Sequence, residues 1–204
     1  MTQQTRFRGQ LLNACIGAVV FTLLGSVWAI FGVWSLGSKA EPLVTIILVL
    51  PIVLLLIFSI NAFRKVLRLP PDALSSEMRE RISRVKRGFG IINVAQGVAI
   101  GVTFTLGFRL RHPEYIPPVV AFIVGLHFFA LAPILRMRFD YIIGLLLCLL
   151  ALVTIFMLPL YANVDDASQE RIFLWGVVIG IGSAIALWLG AVSRLRGVHV
   201  SLRL

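Results

Sequence analysis

The sequence predicts an all-α polytopic membrane protein. Six transmembrane helices and a cytoplasmic amphipathic helix between spans two and three form one integral membrane domain over residues 1–204. Three observations carry this reading. Apolar residues make up 59% of the chain and charged residues only 14%, against roughly 45–50% and about 25% in an ordinary soluble domain. A single soluble core could not hide that much apolar surface, and the few charges could not cover the rest. Six long apolar runs divide the chain, and basic residues gather at alternate ends of them.

A helix crosses about 30 Å of hydrocarbon with roughly 20 residues at about 1.5 Å rise each. The runs at 11–36, 43–63, 89–108, 118–135, 139–161 and 172–193 meet or approach that length. The first follows Arg6 and Arg8 and superficially resembles a signal peptide. It is far longer than the usual h-region of roughly 7–15 residues, so it reads as an uncleaved span. The fourth is the shortest and opens on Pro117 and Pro118, which a helix start tolerates because those N–H groups would be unsatisfied anyway. The third is the polar span, with Asn93, Gln96, Thr103 and Thr105, and it carries Gly97 and Gly101 as a GxxxG pair. Further small-residue ridges run along span one at Ala14, Ala18, Thr22 and Ser26, and along span six at Gly176, Gly180 and Ala184. Span five, aliphatic apart from Cys148 and Thr154, is expected to face lipid, and Asp166 or Ser168 to cap span six.

Charge sets the expected orientation. Six spans place the N-terminus, the 64–88 segment, the 136–138 turn and the C-terminal tail on one side. Fifteen of the 19 Lys and Arg residues fall there, against Lys39, Arg109, Arg111 and Arg171 opposite. The positive-inside rule makes the first side cytoplasmic, with both termini inside. Trp28, Trp34, Tyr115, Tyr161 and Trp175 sit toward the outer ends, where interfacial aromatics belong. The net charge of +10 therefore marks membrane topology and not nucleic-acid binding.

In the 64–88 segment, Leu74, Met78, Ile82, Val85 and Phe89 recur with helical spacing, and Glu77 and Glu80 precede Arg81 and Arg84 by four. The expectation is a helix lying on the bilayer. Arg79, Arg81, Arg84, Lys86 and Arg87 would contact anionic lipid head groups or a partner protein.

The candidate functional residues lie inside the spans. Asn93, Gln96, Ile100, Thr103 and Gly107 share a stripe on span three. His127 is the one ionisable residue deep within a span, roughly 12 Å from the cytoplasmic end of span four, and Gln96 lies roughly 10 Å from that end of span three. Such groups face protein or water rather than hydrocarbon. His127, Gln96, Asn93 and Thr103 thus form the expected intramembrane polar site. The alternative for His127 is a neutral side chain making one interhelical hydrogen bond. Asp140 is explained by local pairing with Arg136 or Arg138.

There is no P-loop, HExxH motif, intramembrane aspartate pair or nucleophile elbow, and neither Cys15 nor Cys148 belongs to a metal or disulfide pattern. No enzymatic activity, metal or cofactor is expected. Two function classes remain: a small transporter or permease-like protein using the polar site, and a non-catalytic accessory or regulatory subunit acting through its basic segment. The Gly/Ala ridges would also serve a homodimer.

The segment Gly125-Leu126-His127-Phe128-Phe129-Ala130-Leu131-Ala132, with the basic loop and polar third span before it, resembles a pattern in uncharacterised bacterial multi-pass membrane proteins. The resemblance covers about one span. It implies a bacterial cytoplasmic membrane protein and supplies no catalytic residues.

Overall fold

The computed structural model describes residues 5–37, 42–69, 76–135, 137–165 and 170–202. Among the described residues six α-helices are present: α1 (Thr5–Trp34), α2 (Pro42–Leu67), α3 (Ser76–Arg109), α4 (Ile116–Leu135), α5 (Arg138–Met157) and α6 (Leu174–Ser201). Each is long and apolar enough to cross a bilayer, the pattern of a multi-pass membrane protein. Helices satisfy every backbone polar group internally, which hydrocarbon demands. Their outer faces carry large apolar side chains that no soluble surface would display, with Trp34 and Phe156 each 78% exposed.

Local chemistry sets the helix ends. Gly37, at φ +60, follows α1 in the left-handed conformation that glycine adopts without steric penalty. A short 3-10 turn, Pro113–Tyr115, leads into α4. α5 stops at Leu158, which is extended at φ −105 and ψ 143 because Pro159 follows it. Between α5 and α6, β1 (Tyr161–Asp165) and β2 (Glu170–Phe173) pair as an antiparallel hairpin, Tyr161 opposite Phe173. α6 then begins at Leu174 with Phe173 in the N-cap position and no side-chain cap. Asp166 and Ser168, expected to cap this helix, lie outside the described residues.

The bundle has two distinct ends. Arg8 at the start of α1 donates a 3.4 Å bond to the Leu67 carbonyl at the end of α2. Leu11, Cys15, Val66 and Val198 share one apolar cluster, which adds the end of α6. At the opposite end, Trp175 donates to the Leu158 carbonyl at 3.1 Å and meets Tyr115 edge-on at 5.1 Å. The first end carries Arg64, Lys65, Arg68, Arg138 and Arg196 and is called the basic end below.

α1 and α6 form the central pair and run in opposite directions. Glycine lets their backbones approach: a Cβ on Gly180 would overlap Gly32, and one on Gly25 would lie 2.6 Å from the indole nitrogen of Trp188. α4 and α5 meet in the same way at Gly125 and Gly144, where a Cβ on Gly144 would stand 2.7 Å from the Gly125 carbonyl oxygen. Phe21 and Phe128 tie α1 to α4 with ring centroids 5.1 Å apart. Around them Ile143, Leu147, Leu187 and Ala191 complete the main core. α2 flanks α1, and α3 flanks α4.

Two packing expectations change. α5 does not simply face lipid. Asp140, Ile143, Gly144, Leu147, Cys148, Ala151 and Thr154 are buried along one stripe, which packs on α4 and α6. The GxxxG pair of α3, by contrast, packs against no other helix among the described residues: added Cβ atoms at Gly97 and Gly101 would meet open space. The charged residues from Ser76 onward belong to the same helix as span three, and residues 70–75 lie outside the described residues.

Candidate charged site at the basic end

α5 starts at Arg138, and Asp140 falls in its first turn, where unsatisfied N–H groups favour a carboxylate. α6 continues eight residues past Ser193, the expected end of span six, and so draws Arg194 into the helix interior. The two side chains meet. Arg194 Nη2 donates to Asp140 Oδ1 at 2.7 Å, and the side chains are only 5% and 1% exposed. Arg194 Nη1 also donates to the Gly190 carbonyl at 3.3 Å, and its Cζ lies 3.9 Å from the centre of the Phe21 ring. This cation–π contact is strongest where water is excluded.

Two glycines make room for the arginine. A Cβ on Gly17 would stand 2.8 Å from Arg194 Nε, and one on Gly190 would overlap the Phe21 ring. The pair therefore joins α1, α5 and α6 at one point. It is incompletely satisfied, since Asp140 Oδ2 is buried without a hydrogen-bond partner among the described residues. A cleft of about 310 Å³ opens beside it, lined by both charged residues together with Leu11, Met137, Ser193 and Ser201.

The local pairing expected for Asp140 is thus replaced by a partner 54 residues away. Arg138 is exposed, and Arg136 lies outside the described residues. Arg194 reads as an interfacial flank when the span is ended at Ser193. The available signal was the short step from Gly190 to Arg194, one helical turn that leaves a gap for a folded-back guanidinium.

The polar residues of spans three and four are arranged differently. Asn93 donates to its own helix at the Phe89 carbonyl, 2.7 Å away, and Thr103 donates to the Ala99 carbonyl at 2.9 Å. His127 lies against the backbone of Ile92 on α3, one turn from Gln96, and edge-on to Phe128 at 5.8 Å. Its Nδ1 is buried without a partner. Adjacent helices thus bring His127 and the Gln96 region to one seam, but no hydrogen bond among the described residues joins His127 to Gln96, Asn93 or Thr103. Gln96 and Thr103 are half-buried and Asn93 is exposed. Arg79, Arg81, Arg84 and Lys86 occupy the first turns of α3, where their side chains are outside the described set, and Arg87 is exposed.

Among the described residues, no three His, Cys, Asp or Glu side chains gather as a metal site. Both cysteines are free and buried. Comparison with known proteins finds no match to this chain among family models, curated proteins or solved structures.

Proposed function

We propose that the chain is a small permease-like protein of a bacterial cytoplasmic membrane, both termini inside, that moves a small charged solute or ion. The buried Asp140–Arg194 pair beside its cleft carries this reading. Ionisable groups placed between membrane helices are costly and mark ion or substrate pathways. The free oxygen of Asp140 offers an acceptor to a cation or proton entering the cleft, and Arg194 offers a donor to an anion. A solute that competes for either partner loosens the joint between α1, α5 and α6. In this reading His127 of α4, with Gln96 one turn from the Ile92 backbone beside it and Asn93 and Thr103 elsewhere on α3, would supply a second set of polar groups within the spans.

The test is flux in reconstituted liposomes for a panel of protons, alkali cations, small carboxylates and phosphate. Transport above empty liposomes, lost in Asp140→Asn and Arg194→Gln proteins that remain folded, supports the reading. Wild-type protein that moves none of the panel, with variants altered only in stability, overturns it.

A second reading, a non-catalytic accessory subunit, is favoured by α3. No residue of its apolar stretch is buried within the chain, so its flank is open to a partner helix. Co-purification of a partner that is lost when Arg79, Arg81, Arg84 and Arg87 are neutralised would support it, and retention of that partner would count against it.

A further inference from the structure

The second large concavity is a groove of about 1190 Å³ between α2 and α6, on the other face of α6 from the charged pair's cleft and sharing only Val198 with its lining. We propose that it binds one anionic phospholipid, an acyl chain in the groove and the phosphate at its basic mouth. This does not rest on the transport reading.

The shape argues for an acyl chain. Leu54, Phe58 and Leu189 line the groove and are all exposed within the chain. From Leu50 to Asn61 the wall of α2 rises roughly 16 Å, the depth of one leaflet in a hydrocarbon core about 30 Å thick. The apolar wall therefore ends where a head group would begin.

The charge argues for an anion. Above Asn61 the groove is lined by Arg64 and Lys65 from α2, Arg68 just past its end and Arg196 from α6, and no acidic residue lines it among the described residues. All four cations are exposed, and none forms an ion pair among the described residues. Basic pockets between transmembrane helices bind phospholipid head groups in this manner. A second copy of the chain is a poor occupant. A symmetric contact would set this cationic mouth against itself, at a repulsive cost.

Native mass spectrometry of the detergent-purified protein tests the proposal, with phosphatidylglycerol, phosphatidylcholine and inorganic phosphate as probes. The expected result is one phosphatidylglycerol retained per chain, little phosphatidylcholine, and no displacement by inorganic phosphate. The combined Arg64→Gln, Lys65→Gln, Arg68→Gln and Arg196→Gln protein should retain phosphatidylglycerol at least about tenfold less well, whereas Arg109→Gln with Arg111→Gln, at the opposite end, should not. Should the fourfold variant fail to fold, Leu189→Trp fills the groove without touching charge and should exclude the lipid. Equal retention of both phospholipids overturns the proposal, as does full retention by Leu189→Trp or by a folded fourfold variant. Displacement by inorganic phosphate would indicate a free-phosphate site and overturn it equally.

Discussion

Arg194 and Asp140 form a hydrogen-bonded ion pair, 2.7 Å between Nη2 and Oδ1, on neighbouring helices in the interior of the bundle. The arginine's remaining surface rests on Phe21 and its flank on Gly17, so a single side chain reads three helices at once. Removing one partner leaves the other charge buried and unpaired. Asp140→Ala or Arg194→Ala should therefore destabilise the fold by about 3–5 kcal/mol. Replacing both, as Asp140→Leu with Arg194→Met, should cost clearly less than either single change. Unfolding titrations in mixed micelles measure this, and additive losses in the double variant would show that the pair is not coupled.

Glycine positions should separate into two groups. Gly32 and Gly180 lie where α1 and α6 nearly touch, so Gly180→Leu forces the helices apart at about 1–3 kcal/mol or more. Gly97→Leu and Gly101→Leu place a side chain in open space and should leave the thermal midpoint of the monomer unchanged. A large loss at Gly97 would mean that α3 has a partner that the isolated chain does not provide.

His127 offers a contrast between stability and function. Its Nδ1 has no partner among the described residues, and interhelical polar contacts in membranes average only about 0.6 kcal/mol. His127→Phe should therefore shift the thermal midpoint little. If the α3–α4 seam belongs to the transport path, solute flux falls in this variant while the fold persists. Flux indistinguishable from wild type would remove His127 from the site.

Trp175 anchors the end of the bundle opposite the charged pair through the Leu158 carbonyl. Trp175→Phe keeps the ring and deletes the donor, at a cost of about 0.5–1.5 kcal/mol. Hydrogen exchange at the β1–β2 hairpin should accelerate. Unchanged protection there would show that the hairpin is held by other contacts.

The number and approximate position of the helices were legible because each must offer lipid about 20 apolar residues, and that requirement is written locally in the chain. Which helices touch was much less so. Lipid is as apolar as leucine, so hydrophobicity cannot tell a buried face from a lipid face. Small residues are the remaining guide, and they mislead in both directions: Gly97 and Gly101 look like a contact and face open space, whereas Gly144 on an apparently featureless span meets Gly125. The Asp140–Arg194 pair was hidden for a different reason. Arg136 and Arg138 are nearer in sequence, and only the continuation of α6 to Ser201 brings Arg194 inward. The hairpin at Tyr161–Phe173 gave no distinct signal beside the apolar runs that flank it.

The proposal that Asp140 and Arg194 form the working site is tested most directly by proteoliposome flux of wild type against Asp140→Asn, with folding of both checked by circular dichroism. Solute movement above empty liposomes is expected for the wild type, with its loss in the folded variant. Flux that survives Asp140→Asn unchanged would contradict it.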